Sequence, residues 1–221
     1  IVFGMWLAIG KEKFSNVTLK KMLQKEAEQY EKFKSNVEYI NIKCHDLKHF
    51  VKKQWGNEIE KSPEAQKIFQ SIAEISASAD TGNETLDLLV SEWKMYCNSI
   101  GIRLAFMTDG TPFTGFDELD IFSMFSNILE NAVEGVRTCS EEHREIRLNI
   151  KHKGNMVMIH QENFLLRKPK FKGGLPQTTK DDKENHGFGM KSIQSVVKKY
   201  KGKMFVDAED DQFILSILFS A

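Results

Sequence analysis

Hydrophobic positions recur every three or four residues between Thr18 and Trp55. A heptad-like spacing sustained over about four repeats is typical of a coiled coil or a helical bundle. The pattern therefore predicts one long helix with a single apolar seam. The seam residues are Leu23, Ala27, Tyr30, Phe33, Val37, Ile40, Cys44, Leu47 and Val51.

A second helix is predicted shortly after the first. Gly56 and Asn57 interrupt the periodicity, and Ser62 followed by Pro63 forms a favourable helix start. Its own seam comprises Ile68, Ile72, Ile75 and Ala79. Two helices with a short connection form an antiparallel hairpin that has too little core to be stable alone. We therefore predict that residues 18–80 pair with a second copy in a homodimeric four-helix bundle.

From residue 81 onwards the pattern alternates between helical and strand periods. Gly82 and Asn83 mark the boundary as a turn. The predicted helices are Glu84–Ser99, Asp117–Val136 and Gly187–Tyr200, and the predicted strands are Ile102–Met107, 145–153, 155–161, 203–209 and 212–219. Strands that run back antiparallel to their neighbours, with helices between them, predict an α+β sandwich in which helices cover one face of a mixed sheet. This domain spans residues 81–221.

One polar segment of the domain, Phe164–His186, shows no apolar periodicity. Structureless loops longer than about 15 residues are usually lids or linkers within a compact domain. The segment leads directly into "HGFGM", so we predict a lid over a ligand.

Composition argues against nucleic-acid binding and against disulfides. Lysine plus arginine and aspartate plus glutamate both number 31, so the chain has no net positive charge that would attract nucleic acid. The three cysteines, Cys44, Cys97 and Cys139, lack metal or disulfide spacing and are expected to be reduced thiols in a cytosolic setting.

The first ten residues, "IVFGMWLAIG", are almost entirely apolar. They are too few to span a bilayer, which takes about 20 residues. We expect residues 1–17 to be a membrane-proximal segment that contains the end of a transmembrane helix; the alternative is a helix packed against the body. The charged residues "KEKF" that follow suit a membrane exit on the cytoplasmic side.

Two features could carry chemistry in the second domain. Gly187 and Gly189 precede a predicted helix, where free backbone N–H groups attract phosphate; the same pattern also occurs as plain loop punctuation. Asn127 and Asn131 lie one turn apart on one helix face, where an amide oxygen could reach a magnesium ion; two solvent-facing amides are the alternative.

In their order along the chain these features resemble the Bergerat (GHKL) ATP-binding fold of gyrase and the histidine kinases. "NILENAVEG" resembles the N-box and "NHGFGMKSI" the second glycine box. Upstream, "IKCHDLKHF" resembles the H-box of sensor histidine kinases of the peptide-sensing, quorum-sensing type, whose motif is His-Asp. The resemblance covers residues 39–219.

The resemblance implies ATP and Mg²⁺ as ligands. Asn131 would be the magnesium ligand, with Asn127, Gly187 and Gly189 also binding ATP. In most members of the family an aspartate followed by a glycine pair accepts a hydrogen bond from the adenine amino group. Here Asn163 stands at that place, as an asparagine does in the peptide-sensing subfamily. No glycine pair follows it closely. An amide oxygen can still accept, but it carries no charge.

Two histidines, His45 and His49, lie near the seam. At about 100° per residue His45 points roughly 130° and His49 roughly 170° from the seam centre, so both face outward. A zinc site from the pair is disfavoured because no third donor has suitable spacing. Asp46 can take the proton of one ring nitrogen of its neighbour, and His45 also matches the family's phosphorylated histidine. His45 is therefore the predicted phosphoacceptor, and His49 a solvated or docking residue.

These features together predict a sensor histidine kinase. It would phosphorylate itself from Mg-ATP and pass the phosphate to an aspartate of a response-regulator receiver domain. The chain would be the cytoplasmic portion of a membrane receptor that has an upstream sensor. Two alternatives stay open. A clamp-type GHKL ATPase would need a glutamate where Asn127 stands, and a non-catalytic scaffold would bind nucleotide without phosphorylation.

Overall fold

The computed structural model describes residues 24–36, 39, 42–43, 46–47, 49–53, 63, 66–67, 80–172, 174–176 and 189–220. Contacts divide the chain into two compact units, Ile1–Lys43 and Cys44–Ala221. In the first unit residues 24–36 are helical, and Phe33 of the predicted seam is buried. Most of the predicted helical hairpin lies outside the described residues, so the homodimeric bundle stays a prediction.

Among the described residues from 80 onwards there are three α-helices. Helix α1 spans Glu84–Ser99 and is capped by Asn83, whose side chain accepts a hydrogen bond from the N–H of Leu86. Helix α2 spans Glu118–Val136 and helix α3 spans Gly189–Lys199. Each helix buries one apolar stripe, as expected for helices that cover one face of a sheet.

The main sheet has five strands in the order β1-β2-β3-β7-β6. The strands are β1 (Arg103–Met107), β2 (Glu145–Lys153), β3 (Met156–Phe164), β6 (Lys203–Glu209) and β7 (Gln212–Ser220). Strands β1 and β2 are parallel, and the other neighbours are antiparallel. The predicted mixed sheet is therefore confirmed, and so is its combination with helices in an α/β sandwich.

The core lies between the helices and one face of the sheet. Along β3 and β7 buried residues alternate with partly exposed ones, because successive side chains of a strand point to opposite faces. Phe113 of a short 3-10 helix contacts Phe125 of α2 edge-on, with ring centroids 5.5 Å apart. α2 packs against both β2 and β3, so this helix lies over the middle of the sheet.

The prediction that the whole of Phe164–His186 lacks structure was wrong in two places. Strand β3 extends through Phe164, because its last residues pair with β7 as far as Gln212. A short hairpin then forms from β4 (Phe171–Lys172) and β5 (Leu175–Pro176). Gly174 in its turn has φ +77°, a backbone conformation that glycine adopts without steric cost.

Candidate functional site

Asn127 is held in place by its own helix. It is half-buried on α2, and its Nδ2 donates a 2.7 Å hydrogen bond to the backbone oxygen of Ser123. This bond determines which way the amide faces, so Oδ1 is directed elsewhere. A Cβ atom placed on Gly189, the first residue of α3, would lie 2.9 Å from that oxygen.

Asn131 lies one turn further along α2 and borders the same glycine. Its Nδ2 donates to the Sδ of Met190 at 3.6 Å, a weak bond that turns the amide nitrogen towards α3. A Cβ on Gly189 would lie 3.5 Å from Oδ1 of Asn131. Among the described residues, no hydrogen bond to this oxygen is seen.

The beginning of α3 completes the first cluster. Backbone N–H groups in the first turn of a helix have no partner within the helix and favour anions. Glycine at this point leaves the two amide oxygens uncovered. The hydroxyls of Ser123 and Ser192 are 2.8 Å apart, and their hydrogen bond joins α2 to α3. The structure therefore brings together Asn127, Asn131 and Gly189, three of the predicted site residues.

Asn163 belongs to a second cluster at the end of β3. Its side chain is 3% exposed, and its Nδ2 donates a 2.7 Å hydrogen bond to the backbone oxygen of Phe164. Gly135 of α2 lies directly against it, since a Cβ there would approach Asn163 Nδ2 to 2.8 Å. Gly135 follows Asn131 by four residues, which corresponds to about 6 Å along the helix. Both clusters therefore lie along α2.

Two members of the second cluster were missed by the sequence analysis. Gly135 was included in the N-box without a role, and Gln161 was assigned only to its strand. Gln161 is buried beside Asn163 and donates to its Oδ1 at 2.8 Å. A polar residue at a core-facing position of an alternating strand was the signal that could have identified Gln161.

The side chains of the two clusters are amides without charge. Oxygen ligands of this kind suit Mg²⁺, which binds through few protein ligands together with the phosphates of a nucleotide. Asn131 Oδ1 and the start of α3 fit such a group, because one is an amide oxygen and the other supplies backbone N–H donors.

The predicted phosphoacceptor His45 and the glycine Gly187 lie outside the described residues, so their roles stay predictions. Asp46 and His49 are helical and exposed. Among the described residues, no group of three or more histidine, cysteine or acidic side chains is arranged to hold a metal ion. In the same part of the chain, no helix has the length and apolar character to cross a membrane.

A mixed sheet with an asparagine-bearing helix set against a glycine at the start of another helix fits a nucleotide-binding type of domain, because amide oxygens suit Mg²⁺ and helix N–H groups suit phosphate. Residues 116–220 match the family model described as the GHKL domain. This part of the chain is therefore a GHKL domain. No curated protein gives a significant match to the sequence.

Several solved structures are partly similar to this chain. The nucleotide-free catalytic domain of histidine kinase ThkA is 17% identical and covers 63% of this chain and 92% of its own, with a TM-score of 0.48. The Acinetobacter baumannii histidine kinase AdeS is 10% identical and covers 74% and 80%, with a TM-score of 0.43. The histidine kinase domain of the Erythrobacter litoralis blue-light activated kinase is 10% identical and covers 84% and 94%, with a TM-score of 0.42. Similarity at this level leaves the function to be argued from the residues of the chain itself.

Proposed function

We propose that this protein is a sensor histidine kinase that phosphorylates His45 from Mg-ATP and then transfers the phosphate to an aspartate of a response regulator. The observation that carries the proposal is the meeting of Asn127, Asn131 and Gly189 at the start of α3. The sequence supplies the other half, a His-Asp pair on an upstream helix.

In the proposed reaction, Asn131 Oδ1 would hold Mg²⁺, and the first turn of α3 would bind phosphate oxygens. When bound, the metal would neutralise charge that develops on the transferred phosphoryl group. A ring nitrogen of His45 attacks the γ-phosphorus, and the bond from that phosphorus to the bridging oxygen breaks as ADP leaves. The carboxylate of Asp46 accepts the proton from the other ring nitrogen. Positioning supplies most of the rate in such a transfer.

The proposal extends to the surroundings of the kinase. The chain would act as a homodimer through residues 18–80, dock the receiver domain of a response regulator on that bundle, and form the cytoplasmic portion of a membrane receptor of the peptide-sensing, quorum-sensing type. The H-box resemblance and the apolar residues 1–10 support these proposals.

The test uses the full chain, magnesium and γ-labelled ATP. His49→Ala is the matched control for His45→Ala, because both histidines belong to the same predicted helix and His49 is exposed. We expect acid-labile label on the wild type and on His49→Ala, and none on His45→Ala or Asn131→Ala. Label that persists on His45→Ala, or a wild type that binds Mg-ATP but takes no label, contradicts the proposal.

A scaffold that binds nucleotide without phosphorylation is the second candidate. One observation favours it: the residue at the adenine position is an uncharged amide already bonded to Gln161, rather than a free carboxylate. Binding of Mg-ATP by the wild type without any label would establish this alternative.

A further inference from the structure

One polar side chain is buried on the apolar side of α2. Ser123 is 5% exposed, and its neighbours Phe122 and Met124 are buried as well. A serine within a helix commonly turns its hydroxyl to the carbonyl one turn earlier or out to solvent. Here the hydroxyl of Ser123 meets the hydroxyl of Ser192 on α3, at 2.8 Å. Because a buried hydroxyl is costly unless it is hydrogen-bonded, this contact offsets the cost of burying Ser123.

Ser123 also holds one of the asparagines of the candidate site. Its backbone oxygen accepts the 2.7 Å hydrogen bond from Asn127 Nδ2. Asn127 Oδ1 lies 2.9 Å from the position that a Cβ on Gly189 would occupy. Ser123 therefore contacts both sides of the close approach between the two helices. Its carbonyl holds the asparagine of α2, and its hydroxyl holds α3.

Polar contacts also attach the other end of α3 to α2. There Lys199 forms an ion pair with Asp120, and the hydroxyl of Tyr200 donates to the same carboxylate at 2.7 Å. Gly189 precedes Ser192 by three residues and Lys199 by ten. These intervals correspond to about 4.5 and 15 Å along the helix. The contact at Ser192 thus lies within one turn of the helix start, whereas the contacts at Asp120 are nearly three turns away.

We propose that the hydrogen bond between Ser123 and Ser192 holds the first turn of α3 where it can bind phosphate oxygens, which makes both serines positioning residues. The inference rests on the proposed use of Mg-ATP. Without this bond, α3 would be able to tilt about its contacts with Asp120. With a lever of about 15 Å, a tilt of about 4° moves the helix start by about 1 Å. A displacement of this size is costly in a site that depends on positioning.

The experiment measures equilibrium binding of Mg-ATP to the full chain, at a temperature at which every variant is folded. Ser192→Ala and Ser123→Ala each remove one hydroxyl of the pair and should weaken binding about fivefold. Ser195→Ala is the matched control, because Ser195 lies on the same helix and is exposed. Tyr200→Phe removes hydrogen bonds at the other end of α3. Both of these variants should bind Mg-ATP within about twofold of the wild type.

The double variant Ser123→Ala/Ser192→Ala separates positioning from folding. Ser192→Ala leaves the buried hydroxyl of Ser123 without this partner, which costs stability, whereas the double variant removes both hydroxyls. Unfolding in urea should therefore show that the double variant is more stable than Ser192→Ala. Its affinity for Mg-ATP should nevertheless stay about fivefold below that of the wild type, because the same single bond is lost in all three variants. A merely structural role predicts instead that affinity recovers together with stability.

Three results would overturn the inference. The first is unchanged Mg-ATP affinity in Ser192→Ala, or in the double variant if the single variant does not fold. The second is a double variant whose loss of affinity is the product of the two single losses, since the two hydroxyls would then act independently. The third is a loss in Tyr200→Phe as large as that in Ser192→Ala, which would indicate general helix packing. In each case labelling of His45 from ATP would leave the proposed kinase intact, whereas a wild type that binds no Mg-ATP would remove both proposals.

Discussion

Gly189→Ala tests the close approach of α3 to the asparagines of α2. The added Cβ would lie 2.9 Å from Asn127 Oδ1, whereas ordinary contacts begin near 3.4 Å. The oxygen must therefore move by about half an ångström. Asn127 resists this movement, because its Nδ2 is bonded to Ser123 at 2.7 Å.

The substitution should weaken nucleotide binding far more than folding. Alanine has less backbone freedom to lose on folding than glycine, which partly offsets the strain at Asn127. The methyl group would also lie 3.5 Å from Asn131 Oδ1, the proposed magnesium ligand. Loss of one hydrogen bond to a charged group costs about 1.5 to 3 kcal/mol, which corresponds to a fall in Mg-ATP affinity of roughly 10- to 100-fold.

The assay is calorimetric titration with Mg-ATP, alongside thermal unfolding. Gly115→Ala is the control, because a Cβ there meets no atom within 4 Å. We expect both variants to unfold within a few degrees of the wild type, with affinity reduced only in Gly189→Ala. Unchanged affinity in Gly189→Ala would refute the assignment of this helix start to the nucleotide.

Three further predictions concern single contacts. Met190→Leu keeps the packing volume but removes the sulfur that orients Asn131. The magnesium concentration for half-maximal labelling should therefore rise about threefold. An unchanged magnesium concentration would contradict the orienting role of Met190. Tyr200→Phe removes the 2.7 Å hydrogen bond that the hydroxyl donates to Asp120 and the 2.9 Å bond that it accepts from the backbone N–H of Asp117. Denaturant unfolding should therefore show a loss of about 1 to 2 kcal/mol, and a loss below about 0.3 kcal/mol would argue against these bonds. Burial raises the pKa of the Cys97 thiol from 9.0 to about 11, so the stability that depends on its neutral form is complete below pH 9 and is lost as the pH rises towards 11. The advantage of the wild type over Cys97→Ala in unfolding free energy should thus shrink by about 2 to 3 kcal/mol over that interval, and a constant difference would contradict the shift.

Local patterns of the sequence were enough to predict most elements of the GHKL domain. Helix Glu84–Ser99 and strand Glu145–Lys153 have their predicted bounds, and Asp117 caps α2 rather than beginning it. These features depend on side-chain alternation and on capping groups within a few residues, so they can be found without knowledge of the fold. The i, i+4 spacing likewise placed Asn127 and Asn131 on one face.

The extent of β3 and the hairpin of β4 and β5 depended on pairing. Glu162 to Phe164 are strand residues because β7, about fifty residues later, bonds to them. The polar composition of the following segment concealed a hairpin that is held by only two residue pairs. Backbone pairing of this kind leaves little trace in hydropathy.

The sequence by itself determined which residue types the site contains: paired asparagines on one helix, a glycine before another, and an amide where a carboxylate is common. Only the tertiary structure decided that Gly189 meets both asparagines, that Gly135 lies on Asn163, and that Gln161 bonds to Asn163. The physical reason is that these facts concern distances and hydrogen-bond directions between elements distant in the chain. Periodicity records which face a side chain occupies, but not which atom on the facing element it meets.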